Sequence, residues 1–208
     1  MDDVTRAKDH QDSRCHSCLV TDDDILQAIA ERVRTGRPND LPSRPRQSCR
    51  TPAPLSAVTH AEDLLGHPLP SLLRRLYLEV ADGGFGPHPG IYAVTPAPGP
   101  TRAGSAALPE LLEESSDVLT GDGIPEAPQI PPRGVVFLCD HGCAGWVLLD
   151  CRDPHGQIWW WDEGNRWVLD LTLNQWLSGW LDGSIDDVRG RDGLIIPGHP
   201  GEWVHPDY

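Results

Sequence analysis

Three short β-rich runs in the second half of the chain set the strongest limit on its fold. Val135–Leu138, Trp146–Asp150 and Ile158–Trp161 are rich in Val, Leu, Ile and Trp, and glycine-containing turns of a few residues separate them. Connections this short join antiparallel neighbours, because a parallel pair needs a crossover of about a dozen residues or more. The runs therefore predict a meander of antiparallel strands.

Helical segments surround this meander on both sides. Apolar spacing, caps and chain breakers predict helices at Asp22–Arg34, Thr59–Leu65, from Ser71 onward after Pro70, Leu108–Leu119 and Leu173–Leu181. A further run, Ile91–Val94, is bounded by Pro89 and Pro96 and predicts at best a brief strand. Helices that lie outside an antiparallel meander are typical of the α+β fold class, which we predict for this chain.

Capping patterns mark the ends of these helices. The predicted N-caps are Thr21, Thr59 and Thr172, and the predicted stops are Gly66 and Gly183. Glu62 and Gln175 stand three residues after their threonines and complete two capping boxes. The helix after Pro70 carries an apolar stripe that predicts a buried face, made of Leu72, Leu73, Leu76, Tyr77 and Val80.

Length and proline content divide the chain. Its 208 residues suffice for one domain with a substantial core but hardly for two of ordinary size. Prolines and glycines between residues 36 and 54 are incompatible with a long helix or a central strand. We predict a polar extension at 1–58 with one helix and a Pro-rich linker, a domain at 59–188 and an irregular tail at 189–208. The tail residues suited to packing back on the domain are Ile195, Ile196 and Trp203.

The negative charge of the chain is confined to its second part. Nine acidic and nine basic side chains balance in residues 1–58, which leaves 22 acidic against 8 basic in 59–208 and gives the formal net charge of −14. Such a surface repels nucleic-acid phosphates and anionic lipid and attracts a basic partner, although charge also serves solubility alone. We therefore expect neither nucleic acid nor a membrane as a direct partner.

Targeting signals and cysteine usage bear on the compartment. The chain has no run of the roughly 20 apolar residues that a membrane span needs. Its start, Met1-Asp2-Asp3, lacks the cationic and apolar stretch of a secretory signal. We expect a cytoplasmic protein in which the six cysteines are reduced thiols.

Several segments resemble the signature of the SUKH superfamily. Leu64–Tyr77, followed by Asp82–Gly86, is similar to the LG..LP..L..LY helix of the family, which runs into a glycine-rich turn. Val136–Cys143 resembles the strand that ends in a D.GCG turn, and Ile158–Asp162 resembles the V..WD strand. Trp176-Leu177 stands where the closing WL..WL helix is expected. The order of these pieces extends the resemblance over about residues 59–183, interrupted by a Pro-rich insertion at 96–132.

The resemblance carries expectations about fold and function. It implies a curved antiparallel sheet with helices packed on it and a protein-binding role without catalysis or a cofactor. Bacterial members of this superfamily commonly neutralise toxins, including nucleases and deaminases, whereas fungal relatives regulate cell-wall synthesis. The resemblance therefore implies an immunity protein that masks a cognate, basic toxin domain. The alternative is a regulatory or scaffold protein without a toxin partner.

Acid and tryptophan coincide around the third β-rich run. Alternate side chains of a strand point to opposite faces, so Trp159 and Trp161 share one face and Trp160 takes the other. At least one face must be core, and a Trp that remains exposed among acidic residues is a natural interface anchor. The predicted partner-binding residues are Trp160, Asp162, Glu163, Glu79, Asp82 and Asp140.

Metal binding is one alternative function that the cysteines suggest. Cys15 and Cys18 form a CxxC pair, with His10 and His16 close by, but a tetrahedral zinc site needs a second pair. Cys49 could supply a third ligand at a spacing that matches no common zinc finger. We therefore predict no metal site.

Catalysis is a second alternative. Cys139 and His141 could form a nucleophile and its base, but no third group in the sequence orients them, and a strand-end Cys is often a core residue. Carboxylates at the strand ends could form a hydrolytic pair or a cation site, namely Asp140, Asp150, Asp162 and Glu163. Hydrolysis needs two carboxylates at a defined separation in a cleft, which strand ends alone do not establish. We predict that the protein is not an enzyme.

Overall fold

A computed structural model describes residues 20–40, 49–96, 107–112, 131–142, 145–162, 165–185, 189–190, 193–194 and 198–200, with side chains up to residue 185 except those of Asp162 and Asn165. Within these ranges, antiparallel strands form one larger sheet and helices pack on one of its faces. The α+β fold class predicted from the sequence is confirmed.

The sheet is the predicted meander with additional strands. Its main strands are β1 Val135–Gly142, β2 Gly145–Asp150, β3 Gln157–Asp162 and β4 Asn165–Thr172, and the short strands are β5 Arg189–Gly190, β6 Gly193–Leu194 and β7 Gly198–Pro200. The larger sheet has the order β1-β2-β3-β4-β7 and every neighbouring pair is antiparallel. Strands β5 and β6 pair with each other in a separate two-stranded sheet. The sequence prediction missed β4, which pairs with β3 and begins at Asn165.

The C-terminal tail is not irregular throughout. Strand β7 pairs with β4 through the register Trp167 to Pro200 and Leu169 to Gly198, so the tail adds an edge strand to the sheet. Ile195, Ile196 and Trp203, which the sequence suggested as packing residues, lie outside the described residues.

The helices are α1 Asp22–Arg34, α2 Leu55–Leu65, α3 Ser71–Arg75, which continues as a π-helix at Leu76–Val80, and α4 Leu173–Asp182. Both α1 and α4 have the predicted bounds to within one residue, and each begins in a capping box, at Thr21 and at Thr172. Gly66 and Gly183 end their helices in the left-handed conformation, as predicted. Residues 108–112 are helical, whereas 113–119 of the same predicted helix lie outside the described residues.

Helix α2 begins four residues before the predicted cap at Thr59. Its N-cap residue is Pro54, and no side chain caps this end. Glu62 serves another purpose, because it accepts a hydrogen bond from the Leu69 amide at 3.1 Å and pairs with Arg74 at 3.3 Å. The apparent capping box is therefore a link between α2 and α3, and the prediction of this helix start was wrong.

Residues 91–94 form no strand, although they run beside β1. A single ladder-like bond joins the Tyr92 amide to the Leu138 carbonyl at 2.9 Å. The Ile91 carbonyl and amide turn instead to Gly84 and Phe85. Ile91 and Val94 are buried in the core, so these positions are apolar because they pack there and not because they belong to a strand.

Helix α1 belongs to the same core as the sheet. Ile25 and Ile29 are fully buried in it. The Arg32 guanidinium lies over the Trp180 ring of α4, 4.3 Å from its centroid. The division of the chain at residue 58 stays a prediction, and the helix on its N-terminal side packs with the elements on the other side.

The two faces of the sheet carry two separate apolar clusters. One face packs against the helices and contributes, among others, Val136, Leu149 and Trp160 to the main core. The opposite face carries a smaller cluster in which Val135, Leu148 and Trp159 are buried and further aromatic residues are partly buried. Within the described residues, this second cluster consists of strand residues alone.

Trp160 lies between the sheet and the helices and determines which way β3 faces. Its side chain is 2% exposed, and its ring lies across β2 because Gly145 leaves room: a Cβ there would be 2.7 Å from the ring. The imidazole of His141 meets the ring edge to face, with centroids 4.7 Å apart. Since Trp160 points into the core, Trp159 and Trp161 point to the opposite face.

Replacing single tryptophans of β3 should lower the free energy of unfolding by different amounts on the two faces of the sheet. We expect Trp160→Ala to lower the free energy of unfolding by roughly 3–5 kcal/mol, because it removes a large side chain from the main core. Trp161→Ala should cost about 1–2 kcal/mol, since its ring is only partly buried. Denaturant unfolding of both variants measures the difference, and an equal loss in the two would contradict the face assignment.

A candidate protein-binding face on the sheet

The face of the sheet opposite the helices carries four large aromatic side chains, which we call the aromatic face: Phe137, Trp146, Trp159 and Trp161. They come from three neighbouring strands. Strand register places Trp146 opposite Trp161, and Leu148 opposite both Phe137 and Trp159. Trp159 is 7% exposed, and the other three rings are partly exposed.

Three of these rings touch one another. The Trp146 and Trp161 ring centroids are 5.3 Å apart, and the planes are tilted by 35°. Phe137 packs against both, at 6.0 Å from Trp146 and 5.4 Å from Trp161. Such distances are typical of favourable aromatic pairs. The rings therefore form one continuous apolar patch toward the end of the sheet at which Gly142 pairs with Gly145.

A carboxylate and a phenol lie at the β1 side of this patch. Asp140 is opposite Trp146 in the register and is partly exposed. Burial raises the pKa of the Tyr92 phenol, the charge of Asp140 raises it further, and a hydrogen bond from the Trp146 indole lowers it. The influence of Asp140 on Tyr92 means that the negative charge reaches the edge of the aromatic patch.

Two of the predicted partner-binding residues are buried. Trp160 fills the core, as described above. Asp82 is 2% exposed, accepts hydrogen bonds from the Val94 amide at 2.7 Å and from Thr95, and pairs with Arg50 at 3.7 Å. Neither side chain can reach a partner from these positions, and Asp82 instead holds the 82–95 loop in place.

The other predicted residues lie at different places. Asp140 borders the aromatic face. Glu79 is exposed on the helical side, where it forms an ion pair with Arg75 at 3.0 Å. Asp162 ends β3, but its side chain and all of Glu163 lie outside the described residues. The structure thus brings one of the six predicted residues, Asp140, to the aromatic face, and the role of Glu79, Asp162 and Glu163 stays a prediction.

The cysteine that suggested a nucleophile is a core residue. Cys139 is fully buried, and burial raises the pKa of its thiol, with a smaller contribution from Asp140. A raised pKa keeps the sulfur in the thiol form at neutral pH, whereas the thiolate is the nucleophile. The position of Cys139 therefore does not suit nucleophilic catalysis.

The strand-end carboxylates Asp140 and Asp150 lie apart, and the candidate metal ligands among the described residues do not gather at one site. Asp150 forms an ion pair with Arg152 at 2.6 Å and stands at the opposite end of the β1–β2 pair from Asp140. Cys49 is partly buried, and burial raises the pKa of its thiol to about 11. In the part of the chain that the structure describes, no three His, Cys, Asp or Glu side chains gather as a metal site would need. Cys15 and Cys18 lie outside that part.

Phe137, Trp146, Trp161 and Tyr92 were not among the predicted site residues. The alternation of Trp159, Trp160 and Trp161 shows that two faces carry indoles, but it leaves undecided which face the helices cover. Trp146 could have been found from the register, since an antiparallel hairpin from Gly145 to Asp162 pairs it with Trp161. Tyr92 reaches the face through a loop that has no periodic pattern.

Comparison with protein families identifies this fold. A model of the SMI1/KNR4 family (SUKH-1) matches residues 52–179, more than half of the chain, and the chain therefore belongs to this family. No curated protein and no solved structure matches it. The match begins just before α2 and leaves α1 outside, although α1 shares the core.

Membership of this family supports a non-catalytic protein of the SUKH type. A separate finding concerns membranes: none of the described helices is long and apolar enough to cross one.

Thiol reactivity should report the burial of the cysteines in the native protein. We expect iodoacetamide at pH 8 to leave Cys139 and Cys151 unmodified, because both are buried and burial raises the pKa of both thiols. Peptide mass spectrometry after native and denatured labelling measures this. Rapid labelling of Cys139 in the folded protein would reopen a nucleophilic role.

Proposed function

We propose that this SUKH-1 protein is an immunity protein, which neutralises a cognate protein toxin by covering it with the aromatic face. The observation that carries the proposal is the cluster of Phe137, Trp146 and Trp161, which are partly exposed on a sheet face where the described cluster has no helix residues. Tryptophan is enriched among the residues that dominate binding energy at protein interfaces.

The physical argument is that the patch combines area with rigidity. A contiguous aromatic patch exposed on a soluble protein is typical of an interaction site. The strand backbone fixes the rings, and each ring leans on its neighbours, so little side-chain entropy is lost on binding. A partner that covers the patch gains the burial of three large side chains at a small ordering cost.

Charge supports a basic partner. The excess of acidic residues in 59–208 accounts for the whole net charge of −14, and such a field speeds association with a positively charged protein. Nuclease and deaminase domains need positive charge to hold nucleic acid, so a toxin of either class fits this field. The alternative within the family is a regulatory or scaffold protein of the cell-wall type with no toxin partner.

A genetic test distinguishes these roles. The product of the neighbouring gene is expressed alone and together with this protein, and growth is measured. We expect toxicity alone and relief on co-expression. Absence of toxicity, or toxicity that this protein does not relieve, contradicts the immunity role and favours the regulatory one.

Variants of the aromatic face test where the toxin binds. We expect Trp146→Ala and Trp161→Ala each to weaken the complex by about 30-fold, the factor that corresponds to a 2 kcal/mol anchor. Leu55→Ala is the matched control, because it truncates an apolar side chain that is 56% exposed on α2, outside this face. Calorimetric titration measures the affinities, and equal affinity in all three variants would exclude this face as the interface.

A further inference from the structure

We propose that the aromatic face takes an arginine side chain of its partner, with the guanidinium stacked on the Trp146 ring and paired with the Asp140 carboxylate. The inference rests on the proposed binding function and adds to it the chemistry of the group that the face recognises. Both residues face the same side of the sheet.

Strand register brings the carboxylate and the ring together. Asp140 and Trp146 are directly opposite each other on β1 and β2, a position in which Cβ atoms lie about 4.5–5.5 Å apart. On its other side, the Trp146 ring adjoins the Trp161 ring at a tilt of 35°, so the carboxylate and the second indole flank this aromatic surface. A planar cation that lies on this surface can point its N–H groups at Asp140.

The Asp140 carboxylate is held in place and keeps capacity for a further donor. Its Oδ1 accepts the Gly142 amide at 2.7 Å, which fixes the side chain at the strand end. Among the described residues, no hydrogen bond is made to Oδ2. Its charge also raises the pKa of Tyr92 at the edge of the patch, which agrees with a negative potential there. A cation would therefore be attracted to this edge.

Elsewhere in the described residues, a guanidinium already stacks on an indole. The Arg32 guanidinium stacks on Trp180 at 4.3 Å from the ring centroid, and the indole N–H of Trp180 donates to both oxygens of Asp40 at 2.9 and 3.0 Å. Arginine, tryptophan and aspartate thus combine within this fold at the junction of α1 and α4. On the aromatic face, the Trp146 ring would receive a guanidinium in the same stacked way, and the partner would supply the arginine.

Two considerations favour arginine and place it at the β1–β2 end. A guanidinium is planar and can stack on an indole while it donates two parallel hydrogen bonds to a carboxylate, which a lysine ammonium cannot do. At the other end of the same row, Trp161 is opposite Arg166, whereas Trp146 is opposite the Asp140 carboxylate. The cation is therefore expected over Trp146.

The test uses hexa-arginine and hexa-lysine peptides as probes of the full-length protein at low ionic strength. The indole N–H resonances of the eight tryptophans are followed by NMR during titration, after assignment by Trp→Phe variants. We expect the Trp146 and Trp161 resonances to shift with hexa-arginine, and hexa-lysine to bind about five- to tenfold more weakly. Equal affinity for the two peptides, or no shift at either tryptophan, would overturn the proposal.

A matched pair of variants separates a local site from general attraction. Asp140→Asn keeps the acceptor for the Gly142 amide but removes the charge, and we expect it to weaken hexa-arginine binding about five- to tenfold. Asp153→Asn makes the same change at a partly buried aspartate that accepts the His155 amide at 2.8 Å in the β2–β3 turn, far from the patch. An equal effect of the two variants means only that net charge attracts the peptide, which overturns the proposal.

The outcome can be separated from that of the immunity role. If hexa-arginine fails to bind while Trp146→Ala still weakens the toxin complex, the arginine site is wrong and the aromatic interface remains. If hexa-arginine binds as expected and the neighbouring gene product is harmless, the arginine site stands and the immunity role fails.

Discussion

The packing of Trp160 between the sheet and the helices is the interaction on which the rest of this structure depends. Three consecutive tryptophans cannot all enter one core, because a strand directs neighbouring side chains to opposite faces. Gly145 opens space on β2 for the Trp160 ring, and His141 closes the space at its edge. Once Trp160 enters the main core, Trp159 and Trp161 must point to the opposite face of the sheet, where they join Phe137 and Trp146. The candidate interface is thus a consequence of how the core is filled.

Local signals in the sequence were enough for much of the fold. The N-cap at Thr21 and the capping box at Thr172 predicted two helix starts because their hydrogen bonds form within three residues and need no tertiary contact. The pattern at Thr59 misled because Glu62 bonds to Leu69 and Arg74, which lie beyond the helix. Strand β4 was missed, although Trp167, Leu169 and Leu171 alternate along it in the way that a half-buried strand requires.

The site was less predictable than the fold. Alternation divides the indoles of β3 between two faces, but which face the helices cover is decided by packing across the whole domain, so Trp160 was taken as a partner contact in place of Trp161. Asp82 resembled an exposed turn residue, yet the loop at 91–95 folds over it and turns it into a buried acceptor. Tyr92 reaches Asp140 and Trp146 from that same loop, which no sequence period marks. Each of these differences between the prediction and the structure arises from contacts between residues that are far apart in the sequence.

Solvent access to individual indoles in the free protein tests the central claim most directly, since it requires no partner. Brief hydroxyl-radical oxidation of the folded protein, read by peptide mass spectrometry, compares the aromatic face with the core. The two-faced sheet predicts that Trp146 and Trp161 are oxidised, while Trp160 and Trp176 are protected. Oxidation of Trp160 at the rate of Trp161 would contradict it, because the sheet would then not direct these neighbouring rings to a covered face and an open one.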